Sequence, residues 1–362
     1  MKEIFIVPLA ILLMAGLIFG GCAKPAAAPA TIKPETVIDM YTHVTPAKFK
    51  DALFEVLPKD SSWVRTIGRY TVFSDMEERI KDMEGKAGMA GYKQVITIMQ
   101  PALETVCDPP TAVKLAKLAN DGMAEIVKQY PDKFVAAVAC LPMNDMDAAL
   151  KETDRAINEL GMKGILIHTP VVDKPLDSPE FIPLYEKMAK YDLPIWIHPQ
   201  RSPMFSDYKS EKMSKYQINM AYGWPYESTT AMTRLAVSGI MEKYPNLKFI
   251  IHHGGAMIPF FQQRISITDA ETTLDMPNVY AKRTKPLIEY MKTFYADVAN
   301  IPAGAVRLSH EFFGTDHMVF GTDYPFGPPL SATIGYVGEL GISKAELAKI
   351  FETNCKTLLK LK

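Results

Sequence analysis

The stretch Lys248-Phe249-Ile250-Ile251-His252-His253-Gly254-Gly255 decides the fold. Phe249 to Ile251 form a continuous apolar run that reads as a buried strand, and it ends abruptly in two imidazoles and a glycine pair. Two other runs end in the same way. Leu193-Pro194-Ile195-Trp196-Ile197 leads into His198-Pro199, and Met318-Val319-Phe320-Gly321-Thr322 leads into Asp323-Tyr324-Pro325. Polar groups gathered at the carboxyl ends of parallel strands are how a barrel builds an active site.

Working outward, short apolar runs alternate with segments of helical period from Val37 onward, which argues for βα units and a parallel sheet. Eight strands are expected, at Val37–Tyr41, Gln94–Met99, Phe134–Cys140, Gly164–His168, Pro194–His198, Lys248–His252, Thr293–Val298 and His317–Gly321. Eight is the number that closes a (β/α)8 TIM barrel, the α/β fold expected here. Helices are expected over Thr111 to Tyr130, Asp145 to Leu160, Ser228 to Tyr244 and Ser343 to Leu361. The last opens on a Ser343/Glu346 capping box and is placed to close the far side of the barrel. Two long connections, Thr45 to Tyr70 and Pro199 to Glu227, interrupt the pattern. The second carries Met204, Phe205, Tyr208, Met213, Tyr216, Met220, Tyr222, Trp224 and Tyr226, and reads as a lid or pocket wall, or as a dimer contact.

The chain has 362 residues, 48% of them hydrophobic, enough for a large core. With 40 basic against 41 acidic residues it has no basic patch for nucleic acid, so the expected partner is a small molecule. Residues 1–21 read as an export signal and 22–35 as a Pro/Ala-rich tether, which leaves 36–362 for the barrel. Phe19-Gly20-Gly21-Cys22 resembles a bacterial lipobox, which implies cleavage before Cys22 and lipid attachment to its thiol. The expected location is therefore the cell envelope, outside the cytoplasm and held to a membrane. An uncleaved membrane-spanning anchor is the competing reading of the same apolar run. Cys107, Cys140 and Cys355 are too few and too widely spaced for a disulfide framework and read as small buried hydrophobes.

His43, His168, His198 and His253 fall at or just past the ends of expected strands one, four, five and six, and Asp323 at the end of strand eight. A lone strand histidine is usually a packed core residue, but several on one barrel face with a carboxylate suit zinc, or manganese. His252 precedes His253 and, by strand alternation, is expected to face away and pack. His168 either faces the pocket, replacing a ligand or binding substrate, or bonds a loop carbonyl. Trp224 either walls the substrate or packs beneath the lid. Asp297 orients a catalytic group or bonds a loop, and Asp39 supports His198 or the metal shell.

Several stretches, in this order and spacing, resemble the amidohydrolase superfamily, in the branch holding aminocarboxymuconate-semialdehyde decarboxylase and aromatic-acid decarboxylases. They are Ile38-Asp39-Met40-Tyr41-Thr42-His43, Tyr130-Pro131-Asp132-Lys133-Phe134, Leu193 through Pro199, Gly223-Trp224-Pro225-Tyr226-Glu227, Tyr244-Pro245-Asn246-Leu247-Lys248 through Gly255, and Val319 through Pro325. The resemblance covers nearly the whole chain after the tether. It implies a metal-dependent barrel in which His43, His198 and Asp323 hold a divalent ion. It also implies that His253 does acid–base chemistry and that Asp323 can shuttle a proton. Arg264 resembles an arginine lent to the substrate carboxylate of a neighbouring subunit, which implies a homodimer; otherwise it is a helix-surface arginine. Tyr41 stands where the family has a first ligand, and a phenol of pKa near ~10 is a poor divalent-metal ligand. The implied activity is non-oxidative decarboxylation of an unsaturated or aromatic carboxylic acid. The alternatives are hydrolysis of a lactone, amide or ester, and a metal-free solute-binding barrel.

Overall fold

The computed structural model describes residues 33–87, 91–275 and 283–361. Cys22 and most of the expected tether lie outside the described residues. Among the described residues no helix is long and apolar enough to cross a membrane.

The strands are β1 (Val37–Val44), β2 (Tyr92–Ile98), β3 (Phe134–Ala137), β4 (Ala139–Cys140), β5 (Ile165–Thr169), β6 (Ile195–Pro199), β7 (Phe249–Ile251) and β8 (Tyr295–Ala296). All neighbours pair in parallel, in the orders β1-β2-β3 and β4-β5-β6-β7-β8. Expected strand three is split at Val138, and the split joins the two sheets. The Val138 N–H donates to Ile96 and that of Ala139 to Gly164.

Expected strand eight makes no ladder of its own, yet it closes the ring. Val319 donates to the Ala296 carbonyl at 3.0 Å, Met40 to Phe320 at 2.8 Å and His43 to Tyr324 at 2.8 Å. Two contacts divert the ladder, one local and one tertiary. His317 is drawn into a 3-10 turn, Thr315–His317, and the Phe320 N–H is taken by the Ile350 carbonyl of the C-terminal helix. That helix starts at the expected Ser343/Glu346 capping box, passes through a π turn over Lys349–Thr353 and resumes at Asn354–Leu359.

Two cores result. Between strands and helices lies the larger one, with Val37, Phe134, Ile165, Ile195, Phe249 and Ile251. Inside the cylinder lie Ile38, Met40, Tyr41, Val95, Leu166, Trp196, Ile250 and Val319, plugged at one end by Cys355, Leu358 and Leu359. Burying each such large apolar side chain stabilises the fold by roughly 1.5–3 kcal/mol. The C-terminal helix therefore does close the barrel, and the mouth lies at the opposite end.

The long connections are partly helical. Thr45 to Tyr70 contains helices at Ala47–Val56 and Ser62–Arg69. The helix expected from Ser228 starts earlier, at Gly223, and ends at Val237, so Trp224 lies in its first turn. Cys140 and Cys355 are buried, but Cys107 is only half-buried.

Candidate metal centre

Period-two alternation sets the mouth. Leu166, Trp196 and Ile250 form an inward-facing layer in the cylinder, and the next inward residue on each strand is two positions on: His168, His198 and His252. β1 adds Tyr41 and His43 after a register shift between Asp39 and Thr42. Past the closing segment comes Asp323, at φ +64°, a backbone conformation that few residues other than glycine, asparagine or aspartate hold without cost.

His43, His198, His252 and Asp323 are all buried, and one ligand atom from each lies within 4.8 Å of all the others. His43 Nε2 stands 2.9 Å from Asp323 Oδ1, and His252 Nε2 stands 3.2 Å from the same oxygen. The expectation that His252 faces away is therefore wrong. It counted alternation back from His253, whereas Ile250 is the inward residue of β7 and His252 continues its face. His253 lies past the end of the strand at φ +62°, its ring 3.8 Å from that of His252 and 6.4 Å from Trp224.

Each of the three imidazoles is tied at Nδ1 to protein. His43 Nδ1 is 3.3 Å from the Ile98 carbonyl and 3.1 Å from Thr97 Oγ1. His198 Nδ1 is 2.7 Å from the Pro199 carbonyl, beside the Gln100 amide at 2.9 Å. His252 Nδ1 bonds Asp297 Oδ2. Such bonds fix ring orientation and leave Nε2 for a ligand. The His252 Nε2 atom faces Asp323 and has no other partner. A buried imidazole nitrogen and a buried carboxylate turned to one point suit a cation between them. The residues present therefore fit a divalent ion.

The electrostatics agree. Burial pulls the His252 imidazole down, but Asp297 and Asp323 overcome it and hold it at about 9. Burial also works to raise Asp323, and is outweighed by the charge of His252 and the bond from His43, which hold it well below the usual carboxylate range. His198 is driven well below its ordinary value by burial, then by its histidine neighbours. His168 and His253 are each lowered to about 3, chiefly by burial. Burial, then Asp297 and Asp323, push the Tyr41 phenol well above 10, so it is neutral.

Tyr41 stacks on His252 at 3.7 Å between ring centroids, with its hydroxyl buried and unpartnered. His168 sits in the inward layer, 5.5 Å from the His198 ring, with Nε2 buried and unpartnered, so the pocket-facing reading is the one that holds. Trp224 is half-buried, 5.5 Å from the His198 ring, and so lines the mouth. Arg264 is exposed on the helix Ile258–Asp275 and is not brought to the cluster within one chain.

Residues that the sequence left undecided or missed form the surround. Asp297 does both things suggested for it, since Oδ2 holds His252 while Oδ1 accepts from Gly254 and Ala299 N–H. A Cβ at Gly254 would stand 2.5 Å from Ile301, and its φ of +66° suits glycine, which explains the turn after the histidine pair. Asp39 supports neither His198 nor the cluster directly. It accepts from Tyr92, from Tyr41 N–H and from both Thr322 N–H and Oγ1, pinning β1 to the residue before Asp323. Asn300 Nδ2 donates to Asp323 Oδ2 at 2.5 Å, and no sequence spacing pointed to it.

Comparison with known proteins agrees with this geometry. The amidohydrolase family matches residues 38–361. A gamma-resorcylate decarboxylase of Rhizobium sp. (strain MTP-10005) is 28% identical over 313 residues, 83% of this chain and 90% of that protein. Among solved structures, the 5-carboxyvanillate decarboxylase of Sphingomonas paucimobilis superposes with a TM-score of 0.79 at 24% identity, over 91% of this chain and 100% of the other. The dihydroxybenzoic acid decarboxylase of Polaromonas sp. JS666, solved with manganese and the inhibitor 2-nitroresorcinol, gives 0.75 at 25%, over 90% and 97%.

Proposed function

This chain belongs to the amidohydrolase family, and from that premise we propose that it is a metal-dependent carboxy-lyase acting on a hydroxylated aromatic acid at the His43/His198/His252/Asp323 cluster. The observation that carries the reading is the convergence of those four buried side chains within 4.8 Å at one mouth. The nature of the relatives turns the chemistry toward decarboxylation.

His43, His198 and Asp323 would hold the ion, with His252 in reach. Zinc suits the donor set and manganese is found in the Polaromonas relative. When bound, the cation stabilises negative charge that develops on the substrate. This chain's own residues do the rest. Asp297 anchors His252 at Nδ1, so that Nε2 holds the proton to be delivered to the carbon that loses carboxylate, a task expected earlier of His253. Asp323 is the alternative proton carrier. Trp224 walls the aromatic ring, and neutral His168 offers its free Nε2 to a substrate hydroxyl. Tyr41 supports His252 by stacking and, as a neutral phenol, is not assigned as a ligand.

We further propose that Arg264, exposed eleven residues beyond His253, serves the substrate carboxylate of a neighbouring copy in a homodimer. The Cys22 stretch supports export and lipid anchoring in the cell envelope. Incubation with 2,6-dihydroxybenzoate in deuterium oxide tests the reaction. Carbon dioxide release with deuterium at the former carboxyl carbon is expected. Oxygen-18 from water appearing in the product of a lactone, amide or ester, with no carbon dioxide from the acid, would assign hydrolysis instead.

A further inference from the structure

The excursion between β6 and the Trp224 helix leaves the barrel rim at Arg201 and returns at Gly223, and one side chain fastens its two ends. Arg201 follows Gln200, whose N–H donates to Thr169 at 2.9 Å and whose side-chain amide donates to Pro170 at 2.7 Å, so its base is tied to the neighbouring strand. The Arg201 guanidinium pairs with Glu227 and lies 5.1 Å from the Phe205 ring and 5.8 Å from the Tyr226 ring. Its carbonyl accepts from Asn219 Nδ2 at 3.1 Å. Its aliphatic stem runs against the start of the helix, where a Cβ on Gly223 would stand 2.4 Å from Arg201 Cδ. The next residue is Trp224, whose ring faces His198 at 5.5 Å.

We propose that the Arg201–Glu227 pair is a clasp that sets Trp224 against His198, and so determines which ring the mouth admits. Both are positioning residues; the proposal rests on the substrate site assigned above. An exposed ion pair would do little. This one differs in three respects: its side chains are only 27% and 13% exposed, the cation lies over two aromatic rings, and it spans one turn of the helix from Gly223 to Glu227. Gly223 is the independent mark, because a Cβ there would meet the arginine stem at Cδ, 2.4 Å away, one residue before Trp224.

The test uses the full-length chain with Arg201→Met, Glu227→Leu, Gly223→Ala and the conservative Arg201→Lys. The chain has 3 tryptophans, so a Trp224→Phe protein supplies the optical reference. The Trp224 emission, taken as the difference from that reference, should shift to the red in the first three variants and become more open to acrylamide quenching. KM for 2,6-dihydroxybenzoate should rise about tenfold while kcat stays within about twofold, the mark of lost binding rather than lost chemistry. The Arg201→Met/Glu227→Leu double variant should be no worse than either single one, since both remove the same interaction. Arg201→Lys should recover only part, lacking the planar fork. Gly223→Ala keeps both charges and improves helix propensity, so it decides the matter if either charge variant fails to fold. Trp224 emission unchanged in folded variants would overturn the clasp. That readout needs no turnover, so it stands even if the probe is not decarboxylated.

Discussion

The floor of the mouth and its rim are built on different principles. The floor consists of His168, His198 and His252, one layer above Leu166, Trp196 and Ile250, and each imidazole is placed by strand alternation. The rim, residues 199 to 227, is an excursion held by an ion pair, two aromatic rings and a glycine, and it exposes Met204, Tyr208, Tyr216 and Tyr222. The contrast teaches where chemistry and selectivity reside. Groups that must meet within a few ångströms sit on strands, whose neighbours hold them, while groups that shape the opening sit on connections that tolerate change.

The sharpest break of that comparison is between two adjacent residues. His252 belongs to the floor and His253 lies beyond it. His252→Asn should lower kcat by roughly 10²–10⁴-fold, as loss of a proton-transfer group does, whereas His253→Asn should cost less than about tenfold. Steady-state kinetics of the two variants decides, and the reverse order would return the acid–base role to His253. Next in size is Asp297→Asn, which keeps the shape but weakens the hold on His252 Nδ1. Metal affinity or activity should fall about 10–100-fold, measured by metal titration and turnover.

A third prediction concerns pH in the metal-free protein. His252 binds its proton more tightly when folded, at about 9, than in the unfolded chain, near its ordinary value of 6.5. Its contribution is thus full below about pH 6.5 and is lost as pH rises through about 9, an effect on the order of 3 kcal/mol. Denaturant titrations of wild type and His252→Asn across that window should diverge at low pH and converge at high pH. The smallest effect belongs to the rim. Tyr216 is 90% exposed, and Tyr216→Ser should move stability by no more than about 0.5 kcal/mol in the same titrations.

The barrel was legible because strands form at seven of the eight apolar runs expected to make them. The eighth was placed correctly in space, but its hydrogen bonds are shared with the Ile350 carbonyl, a tertiary contact with no local signature. His43, His198 and Asp323 were legible as strand-end groups. His252 was legible too: the step from Ile250 to His252 is the step from Trp196 to His198, and choosing His253 as the inward residue hid it. Gln100 and Asn300 were not legible, since each acts through a side chain on a loop whose path depends on packing elsewhere. The Arg201–Glu227 contact joins residues 26 positions apart, and only the unusual demand for glycine at 223 hinted that something passes close by.

The central claim is that one divalent ion is held by His43, His198 and Asp323, with His252 beside it. Crystals equilibrated with manganese and measured for anomalous scattering test it directly, alongside the Asp323→Asn protein treated identically. A single strong peak among His43, His198 and Asp323 in the wild type, lost or greatly weakened in the variant, is the predicted result. No peak at that position in the wild type, or an equal peak in both proteins, would contradict it.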